Sequence, residues 1–256
     1  IGFIAGYMIF DRFRRYEGFP SQWLDSLFVY VVIATIVGAR LGHCLFYGWD
    51  YYSQHPIDIL KVWEGGLASH GGAIGIIVGI LIYSRRVTHL PALWTFDRVV
   101  IPIALVGALI RMGNLMNHEI YGHATDLPWG FRFIDNLHAW MQGAAPIFTE
   151  PSHPTQIYEA LCYLALFGLL MYLYWGRHEE HRSGLIFGTF LIGTFLSRFF
   201  IEFIKNDQEA FEADMLLNMG QLLSIPFVIA GIWLVIRAMR RPKSDWKYPK
   251  ESVKNK

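Results

Sequence analysis

The sequence predicts an all-α, polytopic transmembrane helical bundle of about seven spans, with a small extracytoplasmic cap. Three observations predict it. Of the 256 residues, 54% are hydrophobic and only 17% charged, where an ordinary soluble domain is about a quarter charged. The apolar residues are gathered into long blocks instead of being spread at amphipathic spacing, and a bilayer-spanning helix requires roughly 20 mostly apolar residues. Finally, the basic residues fall in alternate loops, as they do in multi-spanning proteins.

The blocks, taken in order, lie at about Leu27–Phe46, Gly66–Tyr83, Val99–Gly113, Tyr158–Trp175, Leu185–Ile204 and Met219–Ala238. A seventh, Ile1–Phe10, opens the chain without a Met. It reads as a truncated span and not as a signal peptide, because no small-residue cleavage site follows it. Cys44 and Cys162 fall inside blocks without metal-ligand spacing, which suits small buried apolar side chains.

The net charge of +1 is uninformative, but its distribution is not. Arg12, Arg14 and Arg15, then Arg85, Arg86 and Arg98, then Arg177 and Arg182 occupy alternate loops, and the tail adds a further basic run from Arg237. The intervening loops hold Lys61, Arg132 and Lys205 and most of the acids. The positive-inside rule makes the basic loops cytoplasmic. The N-terminus is then outside and the C-terminus inside, which an odd number of spans satisfies. Residues 1–240 are expected to form the bundle and residues 241–256 a basic cytoplasmic tail beside anionic headgroups. The long outer segment from about Asn114 to Thr155, rich in Gly and Pro, is the expected cap. No fixed-period repeat or inverted symmetry is evident.

Five ionisable groups interrupt the apolar blocks or stand at their ends. Arg40, Arg111 and Arg198 lie in or at the ends of spans, as do Glu202 and His70. An Arg near mid-span costs roughly 2.5–3.5 kcal/mol on insertion scales. The predicted orientation puts all five toward the outer half of the membrane. Each has a plainer reading. Arg40 could snorkel to the surface, Arg198 and Glu202 could form a structural i,i+4 pair, and His70 could be a core histidine. Their shared depth favours a site. Three arginines against one or two acids suit an anionic ligand, and guanidinium groups suit phosphate through paired hydrogen bonds. At this depth the simplest phosphate is a phospholipid headgroup. Gly65–Gly72 and Gly113 remove bulk at the same level, which lets helices or a ligand approach closely.

The densest polar string is RMGNLMNHEIYG, Arg111 to Gly122. It places Arg111, Asn114, Asn117, His118 and Glu119 within a few turns, either as helix caps or as a headgroup-reading site. Here the sequence resembles the phosphatidylglycerol–prolipoprotein diacylglyceryl transferases of bacterial inner membranes. Their fingerprint is Gly-Arg-x-Gly-Asn, an apolar pair, then Asn-x-Glu-x-x-Gly; this chain matches it from Arg111 to Gly122, with Ile110 in place of the leading Gly. Gly38–Tyr47, Trp63–Gly72, His153–Glu159 and Ser197–Phe203 are similar as well, and the resemblance runs to about Arg241. Two departures are visible. A family tyrosine that precedes the region of Ile1–Phe10 is not in this chain, and Thr194 stands where some members have Tyr.

The resemblance implies transfer of diacylglycerol from phosphatidylglycerol to the lipobox cysteine of a prolipoprotein, forming a thioether and releasing glycerol phosphate. That chemistry needs a thiolate, stabilisation of the leaving phosphate and alignment of the reacting atoms. Arg111 and Arg198 are expected to hold the phosphate, with Glu202 orienting Arg198. Asn114, Asn117 and Glu119 are expected to hold headgroup hydroxyls or Arg111, and Gly122 closes this substrate-binding string. His70 is the candidate base, and Arg40 supports the anionic pocket. No metal or dissociable cofactor is implied, since no ligand spacing is present. The competing readings are a transporter of an anionic lipid, which would place its site near the midplane between matching halves, and a non-catalytic lipid binder, which would not need His70 near the arginines.

Overall fold

A computed structural model describes residues 1–206 and 217–244, together with the limits of the helices. The helices are α1 (Gly2–Glu17), α2 (Ser21–Phe46), α3 (Trp49–Tyr52), α4 (Ser69–Tyr83), α5 (Ala92–Met116), α6 (Leu137–Met141), α7 (Thr155–Met171), α8 (Leu185–Ile201) and α9 (Met219–Met239). Six segments among the described residues are long and apolar enough to cross a bilayer: Ser21–Phe46, Gly71–Thr88, Ala92–Met116, Thr155–Gly176, Leu185–Ile204 and Gly220–Met239. The chain is a multi-pass membrane protein. Helix α1 adds a shorter helix to these six: 16 residues, apolar to Phe10 and charged beyond, where Asp11 pairs with Arg14 and Arg15 at 2.6 and 2.7 Å. The predicted all-α bundle of about seven spans matches this architecture. Pairing outside the helices is limited, among the described residues, to isolated antiparallel bridges such as Ala124–Ser152 and Ile134–Phe148 in the cap.

Span boundaries differ from expectation at several helices, among them a start at Ser21 in place of Leu27, and two of the differences have a cause in the structure. The second helical block starts at Ser69, not Gly66, because Gly65 and Gly66 take left-handed backbone at φ 89° and 65°, a conformation that glycine adopts without steric cost. A side chain at Gly66 would also strike the His43 ring at 2.6 Å and the Arg40 guanidinium at 2.9 Å. Helix α5 starts at Ala92, seven residues earlier than the expected Val99, so Arg98 is a buried helical residue and not a loop cation. Its neighbour Asp97 explains why charge is tolerated there. The Asp97 carboxylate accepts the backbone N–H groups of Gly184 and Phe187 at 2.7 and 2.8 Å. These are donors at the start of α8 that have no partner within their own helix.

The chain forms two compact units. Among the described residues, one holds Tyr7–Phe96 and the other holds Ile1–Gly6 and those from Asp97 to Ser244. In the first, α2 and α4 touch along stripes of small residues, Ala34, Gly38 and Gly42 against Gly71, Gly75 and Gly79. A side chain at Gly38 would lie 2.4 Å from the Gly71 carbonyl, and one at Gly75 would lie 2.2 Å from that of Ala34. Small residues four apart allow this backbone-to-backbone approach in membranes, where close packing replaces the hydrophobic effect as the force between helices. Phe19, Trp23 and Trp94 close one end of the unit, with ring centroids 5.4–5.9 Å apart. In the second unit, Gly188 and Gly231 bring α8 and α9 together in the same way, each 2.8 Å from the other's carbonyl if given a side chain. Asn218 and Gln221 form a reciprocal capping box at the start of α9.

Candidate active site

The polar string begins on α5 and continues past its end. Helix α5 stops at Met116, after which His118 and Ile120 adopt φ of 53° and 62°. Left-handed backbone at a β-branched residue is an outlier, and the surroundings hold it in place. Gln156 Nε2 donates to the Glu119 carbonyl at 2.7 Å, Thr155 Oγ1 to the Ile120 carbonyl at 3.0 Å, and the Ile134 N–H to His118 Nδ1 at 3.0 Å. Tyr121 stacks on Phe133 with centroids 4.6 Å apart, and burial together with Asp135 pushes its phenol above the usual pKa. Gly122 then passes through a gap with no room for a side chain. Its Cβ would meet the Ile204 carbonyl at 2.3 Å, Thr155 Cγ2 at 2.8 Å and His153 Cβ at 2.9 Å.

This turn folds the string back on itself. Glu119 Oε1 accepts from Asn114 Nδ2 at 2.8 Å and from Asn117 Nδ2 at 3.3 Å, while Asn114 Oδ1 faces Arg111 Nη1 at 3.4 Å. Gly113, on the same helix end, has open space where a side chain would be.

Arg111 is the first member of a second polar arrangement, which crosses three helices. Its Nε contacts Glu159 Oε2 on α7. The other Glu159 oxygen faces Lys205 Nζ at 3.4 Å, Lys205 faces Glu202 Oε2 at 3.8 Å, and Glu202 faces Arg198 Nε on α8 at 3.9 Å. Five ionised side chains thus alternate in sign from Arg111 to Arg198. Tyr163, one turn beyond Glu159 on α7, has its hydroxyl beside Arg111 and within the field of Arg198. Gly220 leaves space for the Glu202 carboxyl, which a Cβ there would meet at 2.8 Å. Arg198 Nε and Thr194 Oγ1, four residues apart on α8, are buried without a hydrogen bond among the described residues. Glu202 Oε2 beside them is also without a hydrogen bond among the described residues, so this end of the chain of charges has unused capacity for a polar ligand.

Of the predicted site residues, Arg111, Asn114, Asn117, Glu119, Gly122, Arg198 and Glu202 are brought together in one unit. Arg40 belongs to the other unit and is differently employed. It is buried, and its guanidinium donates to the carbonyls of Asp58 at 2.6 Å, Ile59 at 2.9 Å, Gly65 at 2.6 Å and Gly66 at 3.4 Å, with Tyr52 under its face. Its direct contacts are with the loop and not with a pocket. His70 is the second residue of α4, also in that unit, and its side chain lies outside the described residues. Sequence reasoning gave no site role to Glu159 or Lys205. Glu159 could have been found as an acid in an otherwise apolar helix, and Lys205 as a cation three residues from Glu202.

Against this geometry, a family model described as prolipoprotein diacylglyceryl transferase matches residues 1–237. The chain belongs to this family. A phosphatidylglycerol–prolipoprotein diacylglyceryl transferase of Porphyromonas gingivalis is 55% identical over 244 residues, covering 93% of this chain and 86% of the relative. One from Tolumonas auensis is 47% identical over 237 residues (92% and 86%), and one from Chloroherpeton thalassium 40% over 245 residues (96% and 87%).

Proposed function

We propose that this membrane protein transfers the diacylglyceryl group of phosphatidylglycerol to the lipobox cysteine thiol of prolipoproteins. The cysteine sulfur attacks the glycerol carbon that carries the phosphate. A carbon–sulfur bond forms, the carbon–oxygen bond to phosphate breaks, and glycerol phosphate leaves with the electron pair. The observation that carries this reading, beside the family, is that Arg111 and Arg198 stand at the two ends of one chain of charges that runs through Glu159, Lys205 and Glu202. Fixed cations of this kind bind a phosphodiester and stabilise the charge that grows on it as the bond breaks.

Within this reading Arg111 and Arg198 hold the phosphate, and Glu202 orients Arg198. Asn114 and Asn117, aligned by Glu119, meet the headgroup hydroxyls, and Gly122 fixes the turn that aligns them. His70 accepts the thiol proton, as a positioned base worth roughly 10²–10⁴ in rate. Arg40 supports the anionic pocket. The protein resides in the bacterial inner membrane with its N-terminus outside, the 114–155 cap on the outer face, and the tail from residue 241 in the cytoplasm.

The test is direct. Purified protein, labelled phosphatidylglycerol and a lipobox peptide should yield labelled peptide with a thioether and equimolar glycerol phosphate. A wild-type protein that binds the lipid but never labels the peptide would refute the assignment. For orientation, cysteines placed in residues 114–155 should react with an impermeant label in intact cells before cysteines in residues 176–184; the reverse order would overturn it.

A further inference from the structure

Lys205 lies just beyond α8, among the most buried cations of the molecule at 3% exposed. A lysine at that depth is tolerated only when paired. Its two partners are the carboxylates of Glu159, at 3.4 Å, and Glu202, at 3.8 Å. Each of these is also the carboxylate of a phosphate-site arginine, Arg111 for Glu159 and Arg198 for Glu202. Lys205 is thus the middle member of the series and faces one carboxylate of each half.

Its backbone is held independently of its charge. Lys205 forms an antiparallel bridge with Gly122, the His123 N–H donates to the Ile204 carbonyl at 3.0 Å, and Asn206 Nδ2 donates to the Gly122 carbonyl at 3.1 Å. The turn that aligns Asn114, Asn117 and Glu119 therefore also sets the point from which the Lys205 side chain reaches Glu159.

We infer that Lys205 is a positioning residue for phospholipid binding: by sharing both carboxylates, it keeps Arg111 and Arg198 available to one phosphate. This rests on the reading of those arginines as the phosphate site. In the buried series, three cations face two carboxylates, leaving one positive charge, which a phosphodiester monoanion balances. Glu119 carries a further negative charge, but it is exposed and separated from Arg111 by the Asn114 amide. Without Lys205, two carboxylates would face two arginines. Each arginine would be matched by its own carboxylate and drawn onto it, and the attraction for an anion would vanish. The distances suit sharing most clearly at Glu202, which is nearly equidistant from Lys205 and Arg198, at 3.8 and 3.9 Å, and tightly bonded to neither; Glu159 spreads its two oxygens, one in close contact with Arg111 and the other 3.4 Å from Lys205.

The experiment uses the full chain in nanodiscs and compares wild type with Lys205→Met, Lys205→Gln and Lys205→Arg. The Met and Gln variants should raise KM for phosphatidylglycerol at least tenfold, while KM for the lipobox peptide stays within about twofold. Lys205→Arg should return the lipid KM to within about threefold of wild type. Gln keeps a polar head at the buried position, so it supplies the measurement if the Met variant does not fold. A folded Met or Gln variant with unchanged lipid KM would overturn the inference. So would lipid and peptide KM rising together, or an Arg variant no better than Met. If wild type transfers nothing, the proposed reaction fails on its own, and the retention of phosphatidylglycerol over phosphatidylethanolamine by purified protein then decides. Loss of that preference in Lys205→Gln supports the positioning role, and its persistence refutes it.

Discussion

Gly113 and Gly122 stand in the same polar string, yet the structure gives alanine opposite outcomes at the two positions. At Gly122 the new Cβ would lie 2.3 Å from the Ile204 carbonyl oxygen, 2.8 Å from Thr155 Cγ2 and 2.9 Å from His153 Cβ. The first is a backbone atom and must move by about 1 Å to reach ordinary contact distance, where non-bonded heavy atoms sit near 3.5 Å. Its displacement strains the hydrogen bonds from His123 N–H to Ile204 O at 3.0 Å and from Gly122 N–H to His153 O at 2.9 Å. At about 1 kcal/mol for each bond, with roughly 1–3 kcal/mol for overpacking, Gly122→Ala should destabilise the cap by about 3–5 kcal/mol. Because the Lys205 segment is paired with this residue, activity should fall with it. At Gly113 nothing lies within 4 Å of the new Cβ. Alanine there gains roughly 0.5–1 kcal/mol of helix propensity and should leave thermal unfolding unchanged or slightly raised. If the open space is where the headgroup sits, Gly113→Ala should still raise KM for phosphatidylglycerol. Thermal unfolding in detergent and the transfer assay, run side by side, separate the two. Full activity and normal unfolding in Gly122→Ala would refute the packing reasoning. A Gly113→Ala variant that unfolds early would refute the view of that space as free.

Arg198→Lys should lower kcat/KM by ten-fold or more while leaving the fold intact, because a point charge cannot reproduce a planar fork; near-normal turnover would remove Arg198 from phosphate binding. Asp97→Ala strips the acceptor from two N–H groups at the start of α8, which at about 1–3 kcal/mol for each unmet buried donor should lower Tm measurably, and an unchanged Tm would refute the capping role. Around Arg40, a hydrogen bond from Lys61 and then one from Tyr51 hold the Asp58 carboxyl below its ordinary pKa. A depressed folded pKa means that the contribution of this group is present above its unfolded value and lost as pH falls through the folded one. Amides of residues 56–66 should therefore lose protection from hydrogen exchange at pH below about 4, corrected for intrinsic rates, and equal protection at pH 3 and pH 6 would refute the linkage.

The bundle was legible because lipid restricts the options. A backbone that crosses hydrocarbon must satisfy its own hydrogen bonds, so long apolar blocks become helices, and the blocks at Leu185–Ile204 and Met219–Ala238 are matched by helical segments within a residue or two. Boundaries failed where one side chain or one backbone angle decides them. Block reading extended the span back to Gly66, but Gly65 and Gly66 adopt left-handed backbone that lets the chain pass beside Arg40. The same approach started the next span at Val99, because Asp97 and Arg98 look like loop residues until the partner of Asp97, the N-terminus of a helix nearly ninety residues later, is known. Such pairings leave no trace in local periodicity.

The site divides in the same way. Arg111, Asn114, Asn117 and Glu119 lie within nine residues, so their joint role was readable, and Arg198 with Glu202 was readable as a helical i,i+4 pair. Glu159 and Lys205 were not, because their meaning comes from partners 46 and 48 residues away. An estimate of insertion cost could have pointed to them. Every cation placed at lipid depth costs a few kcal/mol unless compensated, and Arg198 had an acid within reach along its own helix while Arg111 had none nearer than Glu119, which the structure gives to two asparagines. The unmatched charge on Arg111 required a carboxylate from another helix. Apolar α7 offers Glu159, and a carboxylate lying that deep then called for a cation of its own beyond the arginine, which Lys205 supplies from the end of α8. In a membrane protein, following each uncompensated charge to the acid or base that must answer it recovers contacts that sequence spacing alone does not reveal.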